Sequence, residues 1–206
     1  MRKRMSRAET TERNRAAVLA AARTEFENLG FHQATVDSIA EAAGFSKGVV
    51  YSQFGSKDDL FLAVLEQNIE RRNRDTARLL EEVSGPEELP KLPLAAITEN
   101  LKSVAWQAAL LEFRAHAWRH PEVNEAYRLL HRKTIDNVGG YIAAVYGAAG
   151  IELPAPAGLM GLASLVAGTG TIAEYMADPD IDVIALAGML APPAVAVPYS
   201  DAKSHP

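Results

Sequence analysis

The feature that most constrains this chain is a short apolar repeat that stops at a glycine and then resumes. Four apolar residues share one helix face in the first stretch: Val36, Ile39, Ala40 and Ala43. Gly44 can take the left-handed conformation that ends a helix, and Ser46 can cap a second helix that carries Val50 and Phe54 inward. The sequence therefore predicts two short helices that cross closely at a tight turn.

The outer face of the second helix carries polar and small side chains: Lys47, Val49, Tyr51, Ser52 and Gln53. Lysine suits a phosphate or a guanine edge, valine a thymine methyl, and hydroxyl or amide groups suit phosphates or bases. Gly48 would let the backbone approach base pairs closely. With the capping residues Thr35 and Ser46, these are the candidate DNA contacts. The alternative is a helical hairpin packed inside an unrelated all-α protein.

The flanking residues extend this unit on both sides. A first helix of about five turns, ending at Gly30, is predicted from the spacing of Val18, Leu19, Ala22, Phe26 and Leu29. Ser56 to Asp59 form a start signal for a further helix, whose first turn contains Lys57. Positive charge is unfavourable there, so we expect Lys57 to contact a phosphate; the alternative is a solvated lysine.

The segment from Thr35 to Leu60 resembles the DNA-binding signature of the tetracycline-repressor (TetR) family. The resemblance rests on Thr35, Ile39, Ala40, Ala43-Gly44, Ser46-Lys47-Gly48, Val50-Tyr51, Phe54-Gly55-Ser56-Lys57 and Leu60. It implies a homodimeric repressor that a small ligand releases from a palindromic operator. It also implies phosphate contacts for Tyr51 and Lys57. Ser52 and Gln53 depart from the bulkier aromatic or histidine residues that the family often has.

The charge distribution agrees with nucleic-acid binding although the net charge is −5. Residues 1–24 contain seven basic and two acidic side chains, which gives this segment a charge of +5. Residues 1–11 are therefore predicted to form a flexible basic arm that reaches phosphates or the minor groove. The alternative for Arg2 to Arg7 is a solubilising tail.

Composition favours a soluble cytoplasmic protein without disulfides. Hydrophobic residues make up 48% of the chain, cysteine is absent, and no uncharged apolar run of about eighteen residues occurs. We expect no membrane association, no metal site and no cofactor.

The remaining sequence predicts an all-α chain divided at proline- and glycine-rich breaks. A helix-turn-helix domain is predicted for residues 12–56 and an effector-binding and dimerisation domain for 57–191, with a connecting helix at 57–83. Further helical segments are predicted at 94–119, 122–148, 156–177 and 181–191, and a disordered tail at 192–206.

The segment from Ala157 to Ala177 is rich in glycine and alanine. Each interior glycine costs a helix up to about 1 kcal/mol, so close packing against a partner must offset the loss. With residues 181–190 this segment is predicted to form half of a symmetric dimer interface, as the family resemblance implies. The alternative is a helix of the chain's own core.

An apolar effector chamber is predicted among the helices from Leu94 to Gly147. The candidate lining residues are Trp106, Phe113, His116, Tyr127, Tyr141 and Met160, with Trp118 as a further aromatic and Glu112, Arg114 and Asn137 as possible polar contacts. Glu112 and His116 are neighbours at helical spacing, but zinc, phosphate-loop and nucleophile motifs are absent. We therefore do not expect an enzyme. An architectural or recombination protein without an effector is the second alternative, and an all-α enzyme the weakest.

Overall fold

The computed structural model describes residues 6–82 and 101–190, and within these ranges the chain forms eight helices and no strand. The predicted all-α class is thereby confirmed. The helices are α1 (Arg7–Gln33), α2 (Val36–Ala43), α3 (Lys47–Phe54), α4 (Lys57–Glu82), α5 (Val104–Ala117), α6 (Pro121–Ala148), α7 (Ala157–Ala177) and α8 (Val183–Leu190). The predicted tail at 192–206 and the proline-rich break after residue 83 lie outside the described residues.

The chain forms two compact units. The N-terminal unit comprises Met1–Arg71 and Ala108–Leu130, and the C-terminal unit comprises Arg72–Gln107 and His131–Pro206. The N-terminal unit thus extends well beyond residue 56, where the sequence placed the end of the first domain. An aromatic cluster explains this extension, because Phe113 of α5 stacks on Phe61 of α4 at 4.3 Å and meets Phe31 of α1 edge-on at 5.1 Å.

Helix α1 begins earlier than the sequence suggested. Ser6 and Glu9 form a capping box, in which the Glu9 N–H donates to Ser6 Oγ at 3.1 Å and the Ser6 N–H donates to Glu9 Oε2 at 2.7 Å. Residues 7–11, predicted as part of a flexible arm, are therefore helical. Gly30 interrupts α1 with φ 75° and ψ 173°, close to the predicted end of this helix.

In the C-terminal unit, α6 and α7 cross at two glycines. A Cβ atom added to Gly161 would lie 2.3 Å from the Ile135 carbonyl oxygen, and one added to Gly139 would lie 2.3 Å from that of Ala157. The two backbones are therefore in direct contact at this crossing. The outer side of α7 differs, because Leu159, Leu162 and Val166 are exposed in the single chain. By length and composition alone, α7 also meets the criteria for a helix that crosses a membrane.

Candidate nucleic-acid interface

The turn between α2 and α3 is built by the residues that the sequence singled out. The Ser38 N–H donates to Thr35 Oγ1 at 3.0 Å, so Thr35 caps α2. Gly44 adopts φ 75° and ψ 28°, and its N–H donates to the Ala40 and Glu41 carbonyl oxygens at the end of α2. The predicted cap and the predicted left-handed glycine are both confirmed.

The inner faces of α2 and α3 are buried, and α2 packs against both α1 and α3. Ile39, Ala40 and Val50 are almost fully buried, as expected from their spacing. Phe54 is also buried, and the Arg15 guanidinium of α1 lies 4.5 Å above its ring. These contacts fix the direction in which the outer face of α3 points.

The outer face contains most of the predicted contact residues. Lys47, Gly48, Tyr51 and Ser52 are exposed, whereas Val49 and Gln53 are half-buried. Ser46 occupies the N-cap position of α3, but its side chain makes no capping hydrogen bond, contrary to expectation. Ser52 Oγ donates to the Val49 carbonyl oxygen at 2.9 Å. Gly48 leaves open space, since the nearest atom to an added Cβ would be Ser46 Oγ at 3.9 Å.

Lys47 is paired with an acidic residue that the sequence analysis did not select. Its Nζ donates to Asp37 Oδ2 of α2 at 2.9 Å and lies 5.8 Å from the centroid of the Tyr51 ring. The hydrogen bond and the charge of Asp37 raise the pKa of Lys47. The ammonium group is therefore charged and held at the start of α3.

Lys57 lies against the end of α1. Its Nζ donates to the carbonyl oxygens of Phe31, His32 and Ala34 at 2.9, 3.3 and 3.2 Å, and burial lowers its pKa. An ammonium group has three donors, and all three are accounted for here. This internal role was not foreseen from the sequence, and the phosphate contact of Lys57 stays a prediction.

Helix α5 is anchored to α1 and α4 within the N-terminal unit. Glu112 Oε2 accepts the His32 N–H at 3.0 Å, and its carboxylate fills the space beside Gly30, where an added Cβ would lie 2.4 Å from Glu112 Oε1. His116 Nε2 lies 3.0 Å from Asp58 Oδ1, without the alignment of a hydrogen bond. The sequence suggested Glu112 and His116 as polar groups of an effector chamber, but here they join elements of the N-terminal unit.

The six candidate effector residues are divided between the two units. Phe113, His116 and Tyr127 lie in the N-terminal unit, where Tyr127 accepts a short hydrogen bond from Arg114 Nε and packs 5.9 Å from Phe113. The remaining candidates, Trp106, Tyr141 and Met160, belong to the C-terminal unit. No cluster of three or more potential metal-binding side chains occurs in residues 6–82 and 101–190.

Comparisons with known proteins agree with this geometry. Residues 18–64 match the family described as "Bacterial regulatory proteins, tetR family". The chain is 31% identical over 116 residues to the uncharacterized HTH-type transcriptional regulator YfiR of Bacillus subtilis, covering 55% of this chain and 56% of that protein. It is also 31% identical over 136 residues to the HTH-type transcriptional repressor AcnR of Corynebacterium glutamicum, covering 60% and 66% of the two chains. The first of these matches spans little more than half of the relative's length.

Solved structures share the fold over most of the chain. A regulator from Rhodococcus sp. RHA1 superimposes with a TM-score of 0.72 at 17% identity, covering 89% of this chain and 98% of that one. GusR of Salmonella enterica has a TM-score of 0.66 at 22% identity, with 91% and 97% covered. A regulator from Saccharomonospora viridis, solved in complex with choline, has a TM-score of 0.68 at 16% identity, with 87% and 94% covered.

Proposed function

We propose that this chain, which belongs to the tetR family of bacterial regulatory proteins, is a cytoplasmic homodimeric repressor that a small molecule releases from a palindromic DNA operator. The observation that supports this best is the exposed outer face of α3, with Lys47, Gly48, Tyr51 and Ser52 on a helix whose other side is buried. Such a helix has the dimensions and side chains to enter a major groove. In this proposal the chain acts by binding DNA and a ligand and catalyses no reaction.

In this proposal Lys47, Gly48 and Val49 approach base edges, while Tyr51 and Ser52 contact phosphates. Lys57 contacts a phosphate by exchanging one of its three carbonyl partners for it. Gln53 joins them if its half-buried side chain turns outward, and Thr35 and Ser46 lie at the helix starts facing the duplex. Phosphate contacts fix the register of the helix, and base contacts supply the sequence preference. The basic side chains of residues 1–24 add attraction for the DNA backbone.

A homodimer is supported by the exposed side of α7. Val166 is 65% exposed and Leu159 is 56% exposed, and most of α7 is accessible to solvent in the single chain. A second copy would cover these apolar residues by two-fold symmetry, and a two-fold dimer suits a palindromic site. We propose that α7 and α8 form this interface.

The effector site is proposed in the C-terminal unit, with Trp106, Tyr141 and Met160 among its residues. Burial raises the pKa of Tyr141, so its hydroxyl stays protonated and can donate a hydrogen bond to a ligand. Phe113 is less suited to a ligand site, because its ring is wholly buried in the aromatic cluster of the N-terminal unit. The Saccharomonospora regulator was solved in complex with choline, which supports the proposal that this chain also binds a small molecule. The identity of that molecule does not follow from this likeness.

Mapping of bound DNA sites across the genome, followed by footprinting, tests the proposal. We expect a discrete palindromic site whose affinity falls at least tenfold in Tyr51→Ala, since one phosphate contact and its packing are lost. Leu129→Ala, at an exposed residue of α6 outside both α3 and the proposed dimer interface, serves as the control. Uniform coverage of DNA without a preferred site would instead indicate an architectural protein.

A further inference from the structure

Asp37 and Lys47 form an ion pair on the face of the helix-turn-helix that we propose meets DNA. Asp37 lies in the first turn of α2, Lys47 is the first residue of α3, and their charged atoms are 2.9 Å apart. The side chains are 64% and 52% exposed, so both groups remain accessible to a ligand. A carboxylate at this place requires explanation, because it would face a polyanion.

The local charges argue against a general phosphate-binding role for this ion pair. From Thr35 to Lys57 the lysines Lys47 and Lys57 balance the acids Asp37 and Glu41, so the segment has no net charge. Lys57 also directs its ammonium toward the carbonyl oxygens of α1. Lys47 is thus an exposed cation on the outer face of α3 that carries its own counter-ion.

We propose that Asp37 is a specificity-determining residue, which holds Lys47 so that the two side chains together read one G·C base pair. This inference rests on the proposed function. In the major groove guanine offers two adjacent acceptors, N7 and O6, and cytosine offers the N4 amino donor beside them. An ammonium next to a carboxylate presents the complementary order of donor and acceptor. An A·T pair fits less well, because the adenine amino group separates its two acceptors.

The ion pair also weakens binding to DNA of arbitrary sequence. A phosphate competes with Asp37 for the Lys47 ammonium, and any approach of the backbone brings two negative charges together. Neutralising Asp37 would free Lys47 to contact phosphate. Each freed phosphate contact increases the slope of log affinity against log salt by about one unit per protomer.

The test compares full-length wild type with Asp37→Asn, Lys47→Gln and Glu41→Gln. Glu41→Gln is the matched control, since it removes the same charge from the same helix. Affinities are measured for the mapped operator, for single base-pair variants of each half-site and for random DNA, at several salt concentrations. Circular dichroism establishes that each variant is folded.

We expect the wild type to lose about five- to a hundredfold in affinity for each half-site in which this G·C pair is replaced by A·T. Asp37→Asn should lose this discrimination, bind random DNA more tightly and show a steeper salt slope. Lys47→Gln should lose the discrimination without the gain on random DNA, and Glu41→Gln should retain it.

Two results would overturn this inference without affecting the proposed function. The first is undiminished G·C discrimination in Asp37→Asn. The second is the same set of changes in Glu41→Gln, which would show that only the net charge of α2 matters. A wild type without any discrete site would overturn the proposed function as well.

Discussion

Lys57 illustrates how a single side chain can have two physical explanations. A lysine in the first turn of a helix is disfavoured by the helix dipole, which is why the sequence suggested an external phosphate. The structure provides an internal partner, the partial negative charge at the end of α1, through the Phe31, His32 and Ala34 carbonyl oxygens. Lys57 thus connects the start of α4 to the end of α1.

Replacing Lys57 by methionine retains the aliphatic packing and removes the three hydrogen bonds. We expect the free energy of unfolding to fall by about 1.5 to 3 kcal/mol, the range for hydrogen bonds to charged groups. Urea denaturation measures this loss. Lys47→Met is the control, because its exposed ion pair should contribute less than about 1 kcal/mol. Equal losses in the two variants would refute the internal role of Lys57.

His116 is the second residue whose surroundings determine its behaviour. Burial lowers its pKa; Asp58 opposes this effect, while the neighbouring His120 and His32 reinforce it. The His116 and His120 rings are stacked with centroids 4.0 Å apart, so charging both would be unfavourable. Lys57 and Glu112 also lie in this region, on α4 and α5.

A lowered pKa makes the contribution of His116 to stability dependent on pH in a defined direction. The neutral form is favoured in the folded state, so the contribution is fully present above the unfolded pKa of about 6.5 and is lost as the pH falls below it. We expect the urea midpoint of wild type to decline more steeply from pH 7 to pH 5 than that of His116→Gln. A wild type that gains stability relative to His116→Gln on acidification would show that the Asp58 ion pair dominates instead.

At the scale of elements, α7 has features of a core helix on one side and of the proposed dimer interface on the other. Gly161 is buried and lies against the Ile135 carbonyl oxygen of α6, as expected for a core helix of the same chain. Leu162 and Val166 are exposed, as expected for a surface that a second copy covers. The small residues therefore serve the crossing with α6, and the larger apolar residues remain available to a partner.

An alanine at Gly161 should destabilise the protein, although alanine is normally the better helix former. The added Cβ would lie 2.3 Å from a carbonyl oxygen, and such overpacking costs about 1 to 3 kcal/mol. Gly170→Ala, in the same helix, has no atom within 4 Å of the added Cβ and should be neutral or gain up to about 1 kcal/mol. Thermal unfolding of both variants measures the difference. Stabilisation by both would show that the helices do not cross so closely.

Helix caps and turns could be predicted from the sequence, whereas contacts between distant residues could not. Thr35 and Gly44 act on backbone groups a few residues away, so the residues themselves specify the caps and the turn. Glu112 binds the backbone of His32 across 80 residues, and Lys57 reaches Phe31 across 26. Nothing in a single sequence relates such partners, because they meet only after the helices have packed.

For the whole molecule, the exposed side of α7 governs the expected assembly. We expect Val166→Glu to convert a dimer to a monomer, because it would place two carboxylates in an apolar two-fold interface. Sedimentation velocity measures the mass, and operator affinity should fall with the loss of the second half-site contact. Leu129→Glu is the control, since Leu129 is 58% exposed on α6 in the N-terminal unit and should leave the mass unchanged. A wild type that sediments as a monomer would exclude this interface.

The division of α4, α5 and α6 between the two units limits how this regulator can be engineered. Each of these helices has residues in both units, with boundaries after Arg71, Gln107 and Leu130. A truncated fragment ending at Arg71 would strip Phe113 from the rings of Phe31 and Phe61 and leave them open to solvent. A chimera that combines this DNA specificity with a different effector-binding domain must therefore include residues 108–130 together with residues 1–71. Without residues 108–130, the exposed aromatic rings would promote aggregation of the DNA-binding unit.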